Sequence, residues 1–243
     1  MEKGLDMKGT ILQPTYLPWL GYFEMIDASE VFVVFDHVQF VRKSWQHRNR
    51  IKTAAGECLL SIPTAKAARE TAIADIEVAT NPPNALADHW KTIKHAYQKA
   101  PFFKNYEEAL EQVFRRDYVL LEDANVAIIR VLCTLLGITS QFVFSSKLNL
   151  GEEPTGKTER VVNLCRRAGL TALYDALGAK VFLESAPFEK AAITVEFQNY
   201  VHPNYRQLFG EFLPNMSVID LLFNEGDRSL SVLRSGRRPP IPI

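Results

Sequence analysis

The sequence has no excess of charge of either sign. Its 243 residues include 28 Lys and Arg residues and 28 Asp and Glu residues, so the formal net charge is zero. A balanced chain has no overall field to attract nucleic acid or an anionic membrane, and nucleic acid is therefore not the expected partner. With 47% hydrophobic and 23% charged residues, the composition is that of a folded globular protein and excludes extensive disorder.

A hydrophobic run long enough to cross a bilayer is also missing. The longest charge-free apolar stretch covers residues 131–146 and includes Gly137 and Gln141, so it falls short of the ~20 apolar residues of a spanning helix. No apolar run of signal-peptide length follows the charged N-terminus, because Pro14 and Pro18 interrupt the sequence. The sequence therefore predicts no membrane span and a cytoplasmic protein.

Cysteine is scarce, and the common motifs of metal and hydrolytic sites are missing. The 3 cysteines form no Cys-x-x-Cys pair, so neither a disulfide framework nor a zinc thiolate site is predicted. The sequence has no His-Glu-x-x-His and no Gly-x-Ser-x-Gly motif, which removes the usual support for a zinc or a serine hydrolase. We expect no metal site.

The hydrophobic pattern that is present indicates an α/β fold. Apolar runs without alternation are typical of strands buried on both faces of a parallel sheet, and the β–α–β order begins at residue 10 and returns after residue 141. The predicted strands are 10–13, 31–35, 73–78, 141–144, 172–174 and 193–197, and the predicted helices among them are 20–29, 158–168 and 217–223. We therefore predict one domain over residues 1–243 with a mostly parallel, Rossmann-like central sheet.

Three further segments interrupt or extend this order. Residues 84–137 form a helical section, with predicted helices at 86–98, 105–115 and 118–136. Residues 46–63 contain a glycine turn between two β-compatible runs, which predicts a projecting β-hairpin. Residues 235–243 form a basic, proline-rich tail.

The first candidate site is the loop that follows the first predicted strand. Its sequence, QPTYLPWLGYF, combines two prolines with four aromatic residues and begins at Gln13. In an open α/β sheet, ligands bind outside the carboxyl ends of the strands and against helix N-termini. We therefore expect Gln13, Tyr16 and Trp19 to contact a substrate, although packing in the core is the alternative for the aromatic residues.

A second candidate lies in DHVQFVRKSWQHRNRIK, where Asp36 ends a buried strand and basic residues follow. Arginine recognises phosphate and carboxylate groups through paired hydrogen bonds, and an aromatic ring such as that of Trp45 offers a stacking surface. Strand alternation places Arg48 and Arg50 on one face. This pattern suits a nucleotide or an activated sugar, while a solvated hairpin face is the alternative.

Residues 151–158, GEEPTGKT, match the Gly-x-x-x-x-Gly-Lys-Thr pattern of a phosphate-binding P-loop. A true P-loop follows its strand directly, whereas residues 147–150 separate this segment from the nearest predicted strand. The preferred interpretation is a helix N-terminus at which Lys157, Thr158 and Arg160 could still contact an anion. A P-loop NTPase stays open as an alternative.

The fourth candidate is YVHPNYRQ, a polar and aromatic loop after the last predicted strand. His202 has the sequence context best suited to acid–base chemistry, because its neighbours do not form a helix face. A structural histidine is the alternative.

Several of these segments together resemble the WbqC-like protein family. The likeness is carried by QPTYLPWLGYFEMI, VFVVFDHVQF, WQHRNRIK, TERVVNLCRRAG, YDALGAKVFL, ITVEFQNYVHPNY and SVIDLLFNEG, in this order. The resemblance implies a bacterial protein of O-antigen or other surface-glycan loci, but no defined reaction. A weaker likeness of strand and loop order to nucleotidylyltransferases and pantothenate synthetase implies a related sheet, without their phosphate-binding histidines.

From these segments we predict a transferase or ligase that places an acyl or aminoacyl group on an amine, using a nucleotide or nucleotide-linked substrate. Asp36 or His202 is expected to move the proton. Other site positions are expected to bind the substrate or nucleotide: Gln13, Tyr16, Trp19, Gln39, Trp45, Arg48, Asn49, Arg50, Lys157, Thr158, Arg160, Lys180 and Tyr205.

The only cofactor this hypothesis names is ATP with Mg²⁺. An aminoacyl-tRNA stays open as the donor, and the oligomeric state is not predicted. The competing hypothesis is a non-catalytic accessory protein that binds a glycan or a nucleotide sugar.

Overall fold

The computed structural model describes residues 7–151 and 154–243. Residues 1–6 of the predicted domain, and Glu152 and Glu153 of the predicted phosphate loop, lie outside the described residues.

The prediction of a mostly parallel sheet is confirmed. The strands are β1 (Lys8–Leu12), β2 (Val31–Val34), β5 (Gln141–Phe144), β6 (Ala172–Asp175), β7 (Thr194–Phe197) and β8 (Ile241–Pro242). They form one sheet in the order β5-β2-β1-β6-β7-β8, in which the first five strands are parallel and β8 is antiparallel. All residues of β2 are buried, because helices cover both faces of the sheet.

The order of the strands reverses beside β1. From β1 the chain moves outward to β2 and later to β5, and it then returns to the other side of β1 to form β6 and β7. The crevice at the carboxyl ends of β1 and β6 is a topological switch point, where open α/β sheets bind ligands.

Two groups of helices enclose the sheet. The helices are α1 (Leu20–Asp27), α2 (Ala85–Tyr97), α3 (Phe103–Phe114), α4 (Leu121–Leu136), α5 (Lys157–Arg167), α6 (Ser185–Lys190), α7 (Val218–Glu225) and α8 (Ser229–Ser235). Helices α5 and α6 pack on one face through the cluster that contains Ile11, Val33 and Leu173. The larger cluster on the other face joins α1, the helical section α2–α4, and α7.

The predicted hairpin is present and separate from the central sheet. It consists of β3 (Arg48–Thr53) and β4 (Gly56–Ser61), which pair in antiparallel register. Ile51 and Leu60 belong to the larger core cluster, so one face of the hairpin packs against the helical section.

One local prediction is wrong. Residues 73–78 were expected to form a strand, but they contain the 3₁₀ turn Ile73–Asp75. Ile73 and Ile76 enter the core three residues apart, a spacing that suits a 3₁₀ turn and not the two-residue repeat of a strand.

The proline-rich tail ends in the edge strand β8, which pairs with β7. Proline lacks an N–H group and is tolerated at a sheet edge. The preceding residues are anchored on α1, where Arg237 forms ion pairs of 2.6 Å with Glu24 and 2.8 Å with Asp27. These ion pairs hold the chain that leads to β8 against α1.

Candidate functional site

The loop between β1 and α1, residues 13–19, is held by side chains from distant parts of the chain. Asn49 of β3 donates hydrogen bonds to the carbonyls of Tyr16 (3.1 Å) and Leu17 (2.9 Å). Asn125 of α4 donates to the carbonyl of Pro14 (3.1 Å). Leu17 has a φ of 45°, a left-handed conformation that a non-glycine residue keeps only when its surroundings fix it. The loop is therefore a rigid wall of the switch-point crevice.

A cavity of about 290 Å³ lies beside this loop. Its walls include Trp19 and Tyr22 at the start of α1, and Trp45 and Arg50. The Arg50 guanidinium lies 5.4 Å from the centre of the Trp45 ring and pairs with Glu57 at 2.8 Å. The lining residues are Thr15, Pro18, Trp19, Tyr22, Trp45, Asn49, Arg50 and Asn215.

The chemistry of this cavity suits a flat or ring-shaped ligand with an anionic group. Trp45 is half exposed, at 50%, so its ring is accessible to a ligand. The Arg50 Nε atom is buried and has no hydrogen-bond partner, which leaves one donor of a planar guanidinium unused. Stacking on tryptophan and a hydrogen bond from arginine are together able to hold a nucleobase, a sugar ring or a phosphate.

His202 lies against the cavity wall. Its ring stacks on Trp19 with centroids 6.1 Å apart, and the backbone N–H of Asn215 donates to its Nε2 at 3.2 Å. Because Nε2 accepts, Nδ1 carries the proton and donates to the Pro203 carbonyl at 2.9 Å. Burial lowers the pKa of His202, which favours this neutral ring. As placed, both ring nitrogens are engaged by backbone groups, and the ring supports Trp19.

Asp36 lies in a buried polar cluster at the same edge of the sheet. Its carboxylate accepts hydrogen bonds from the Ser145 hydroxyl (2.7 Å), the Ser146 N–H (2.7 Å) and the Ser146 hydroxyl (2.6 Å). The side chain of Glu122, at the start of α4, is hydrogen-bonded to Asp36. Burial, followed by the charge of Asp36, raises the pKa of Glu122 to about 7.

Gln13 and Asp36 follow neighbouring strands of the sheet, β1 and β2. Asp36 follows the strand next to β1, since the Phe35 N–H bonds to the Leu12 carbonyl at 2.9 Å. The Gln13 side chain accepts a 2.8 Å hydrogen bond from Gln46, and its backbone carbonyl accepts one of 3.0 Å from Tyr22, which lines the cavity. Gln13 is exposed, and its contact with Tyr22 connects it to the cavity wall.

Other predicted site residues have different surroundings. Tyr16 is fully buried and hydrogen-bonded to His89 (2.7 Å), and burial raises its pKa well above the usual value. Arg48 shares a face of β3 with Arg50, as predicted, but donates to the carbonyl of Lys43 and does not line the cavity. Gln39 is exposed and bonds to the Arg69 carbonyl at 2.7 Å.

Tyr205 stacks on His202 at 6.3 Å and belongs to a buried network behind it. Its neighbour Gln207 accepts a 3.1 Å hydrogen bond from Lys52, whose side chain is only 2% exposed. Burial, with the nearby Asp220 carboxylate, raises the pKa of Tyr205. The role that the geometry gives Tyr205 is to support the His202 loop.

The described residues of the P-loop-like segment, Gly151 and 154–158, line neither the cavity nor the polar cluster. Thr158 is buried and accepts a hydrogen bond from the Glu184 N–H at 3.2 Å, while the Lys157 ammonium lies 5.6 Å from the Phe182 ring. Arg160 donates to the Pro154 carbonyl at 2.8 Å. Lys180, on the following 3₁₀ turn, donates to the carbonyl of Pro242 at 2.6 Å.

Sequence reasoning missed Glu122, Asn125 and Gln46. A usable signal was present, because Glu122 and Asn125 interrupt the apolar face of the helix LEDANVAII three residues apart. Polar residues at buried positions of an amphipathic helix are uncommon and point to a partner. The partner of Glu122 is Asp36, and that of Asn125 is the first loop.

In the described part of the chain, no group of three or more His, Cys, Asp or Glu residues is arranged to hold a metal ion. Within the same residues, no helix is both long and apolar enough for a membrane crossing.

The comparisons with known proteins agree with the resemblance noted in the sequence. The chain is 30% identical over 239 residues, 95% of this chain and 99% of the relative, to the "Uncharacterized protein Rv1507c" of Mycobacterium tuberculosis (strain ATCC 25618 / H37Rv). No solved structure matches the chain. A model of the WbqC-like protein family matches residues 13–232. The chain therefore belongs to the WbqC-like protein family.

Proposed function

We propose that the protein is a transferase or ligase that places an acyl or aminoacyl group on an amine of a sugar or a related acceptor. Its second substrate in this proposal is a nucleotide or a nucleotide-linked sugar. The observation that carries the proposal is the cavity formed by Trp19, Trp45 and Arg50 beside the switch point of the sheet. Open α/β sheets bind ligands at this position.

In this proposal the cavity and the polar cluster have separate roles. The aromatic walls hold the ring of the substrate, and Arg50 neutralises a phosphate or carboxylate through its planar guanidinium. Gln13 orients the reacting group between cavity and cluster. The family resemblance supplies the setting, which is the synthesis of O-antigen or other surface glycans. ATP with Mg²⁺ is the cofactor to test first.

A thermal-shift screen tests the ligand class. The purified protein is heated with UDP-N-acetylglucosamine, ATP or coenzyme A, with and without Mg²⁺. A ligand at a hundredfold excess over its Kd contributes ~2.7 kcal/mol to the stability of the folded state, which gives a clear rise in Tm. We expect the nucleotide sugar to raise the Tm.

Matched variants locate the binding. Arg50→Ala should reduce the shift by about half, because a tenfold rise in Kd lowers the ligand's contribution from ~2.7 to ~1.4 kcal/mol. Arg42→Ala, which removes an exposed arginine from the neighbouring turn, should retain the full shift. If no nucleotide or nucleotide sugar raises the Tm of the wild-type protein, the proposed substrate class is wrong.

A non-catalytic glycan-binding or nucleotide-sugar-binding protein is the second candidate. The observation that favours it is that the two groups first expected to move a proton are already engaged, His202 by backbone groups and Asp36 by two serines. Ser145→Ala separates the candidates once a substrate is found. In an enzyme it should lower turnover more than affinity, because Asp36 loses a positioning contact, and in a binding protein only affinity can change.

A further inference from the structure

Resting on the proposed function, we infer that the first turn of α4 forms the subsite for the acceptor amine. In this subsite Glu122 takes up the proton of the amine, Asp36 is a positioning residue for Glu122, and Asn125 accepts a hydrogen bond from the amine. The ligand class is a primary amine, such as the amino group of an amino sugar.

The first argument is the contact between two carboxyl groups. Asp36 is fully buried, and its position is fixed by hydrogen bonds from the side chains of Ser145 and Ser146. Glu122 is hydrogen-bonded to this carboxyl group and is itself almost covered. Two carboxyl groups in contact hold a proton between them in preference to both being ionised. Glu122 is the more exposed member of the pair, at 9% against 0% for Asp36.

The charges around Glu122 agree with this role. Asp123 on the same turn raises the pKa of Glu122 further, and Lys147 opposes these effects. His37 also faces the cluster, with Nδ1 2.6 Å from the Ser145 hydroxyl. With a pKa of about 7, Glu122 is half ionised near neutral pH and is suited both to accept and to return a proton.

The second argument is an unused acceptor. Asn125 is fully buried and donates through Nδ2 to the carbonyls of Pro14 (3.1 Å) and Gln46 (2.7 Å), yet its Oδ1 has no hydrogen-bond partner. Side chains of an α-helix lean toward its N-terminus, so Asn125 leans over the turn that carries Glu122. A buried acceptor without a donor is unfavourable, and an amine N–H would satisfy it.

The reaction step can be written with all atoms accounted for. The donor is an acyl group activated as an ester or a phosphate anhydride. The amine nitrogen attacks the acyl carbon, a C–N bond forms, and the C–O bond to the leaving group breaks. The leaving oxygen departs with the bonding electron pair, and the amine proton passes to the Glu122 carboxylate.

An NMR titration of ¹³C-labelled glutamate carboxyl groups tests the carboxyl pair without any substrate. Glu122→Gln identifies the signal by its loss. In the wild-type protein this signal should titrate near pH 7, and in Asp36→Asn the midpoint should fall toward the ordinary glutamate range. Asp123→Asn removes an exposed charge next to Glu122 and should leave the pKa of Glu122 mostly elevated. A Glu122 signal that titrates with the other glutamates would overturn the inference.

Calorimetry with glucosamine and glucose tests the amine. At about pH 8 the wild-type protein should bind glucosamine about tenfold more tightly than glucose, and Glu122→Gln should remove this preference while Asp123→Asn keeps it. Equal affinities for the two sugars in the wild type, or no binding of glucosamine, would overturn the amine subsite. If nucleotide sugars still bind, the proposed function survives that result. If they do not bind but the amine preference holds, only the nucleotide part of the proposed function fails.

Discussion

Two loops at the carboxyl edge of the sheet have similar positions but different structures. Residues 13–19 connect β1 to α1, and residues 145–156 connect β5 to α5, so each follows a parallel strand and precedes a helix. The second loop contains the phosphate-binding pattern GEEPTGKT, whereas the first matches no common motif. Yet the first loop borders the aromatic cavity, whereas at the GKT end of the second loop Lys157 is exposed and Thr158 is buried and accepts a hydrogen bond from the Glu184 N–H.

The difference comes from what holds each loop. Asn49 and Asn125, from a strand and a helix far along the chain, bind the carbonyls of the first loop. From Leu150 on, the second loop is held by its own helix, where Asn163 donates to the Leu150 carbonyl at 2.9 Å and Arg160 to the Pro154 carbonyl at 2.8 Å. A motif on a loop therefore becomes a site only when other elements fix its backbone in the required position.

The start of the second loop nevertheless contributes to the candidate site. Ser145 and Ser146, just after β5, bind Asp36. The P-loop pattern does not begin until Gly151, seven residues after β5 ends at Phe144. In a P-loop the glycine-rich turn follows the strand directly. The useful part of this loop is thus the part outside the motif.

The largest expected effect is on the anchoring of the first loop. Asn125→Ala removes two hydrogen bonds and leaves two buried carbonyls without a donor, so it should reduce the free energy of unfolding by about 3 kcal/mol. Asn163→Ala, the matched change in the second loop, should cost about 1 kcal/mol because that site is only partly buried. Urea denaturation measures both, and equal losses would remove the distinction between the loops.

The second prediction concerns pH and the polar cluster beside the first loop. The folded-state pKa of Glu122, about 7, lies above its unfolded value near 4.5, so its contribution to stability is present below pH ~4.5 and is lost as pH rises to ~7. As the pH rises over this interval, the free energy of unfolding of Glu122→Gln should therefore increase by about 1–2 kcal/mol relative to that of the wild type. Solvent screens part of the full effect. Denaturation at both ends of the interval checks the difference.

The neighbouring variant Asp123→Asn is the control for that experiment. Asp123 is exposed, so the same loss of charge should change stability by about 0.5 kcal/mol or less across the interval. A pH-independent effect of Glu122→Gln would contradict the elevated pKa.

The third prediction compares ligand binding at the cavity beside the first loop with binding at the second loop. Arg50→Ala should weaken nucleotide-sugar binding about tenfold, a loss of ~1.4 kcal/mol, whereas Lys157→Ala should leave it unchanged. Isothermal calorimetry gives both Kd values. A loss of Mg²⁺-dependent ATP hydrolysis in Lys157→Ala alone would instead support the P-loop alternative.

The smallest effect is expected at His202. Replacement by phenylalanine keeps a ring against Trp19 but removes the acceptor for the Asn215 N–H, at a cost of about 1 kcal/mol or less. We expect the affinity for the nucleotide sugar to change by about threefold or less. A loss of turnover with retained affinity, measured once a substrate is known, would restore the acid–base role first predicted for His202.

The sequence predicted the sheet and most helices because their signals are local. The run VFVV has no polar position and could only be a central strand, and Gly137 ends α4 in a left-handed conformation as helix-ending glycines do. The turn at residues 73–75 and edge strand β8 were missed because a packed core and a neighbouring strand decide their structure.

The candidate site was only partly visible for the same reason. Trp19, Trp45 and Arg50 were identified from their types and spacing, and they do line one cavity. Glu122 could not be paired with Asp36 from sequence, since 86 positions separate the two residues and no local pattern joins them.

By itself the sequence determined the elements, the family and the chemical types available at the edge of the sheet, because periodicity and residue type act over a few neighbours. Only the tertiary structure decided which of those residues meet. It brought Asp36 against Glu122 and Asn125 against the first loop, and it left Lys157 on a separate helix end. Burial and contact raise the pKa of Glu122 and leave the Asn125 Oδ1 without a donor. Both effects depend on segments that are remote in the chain.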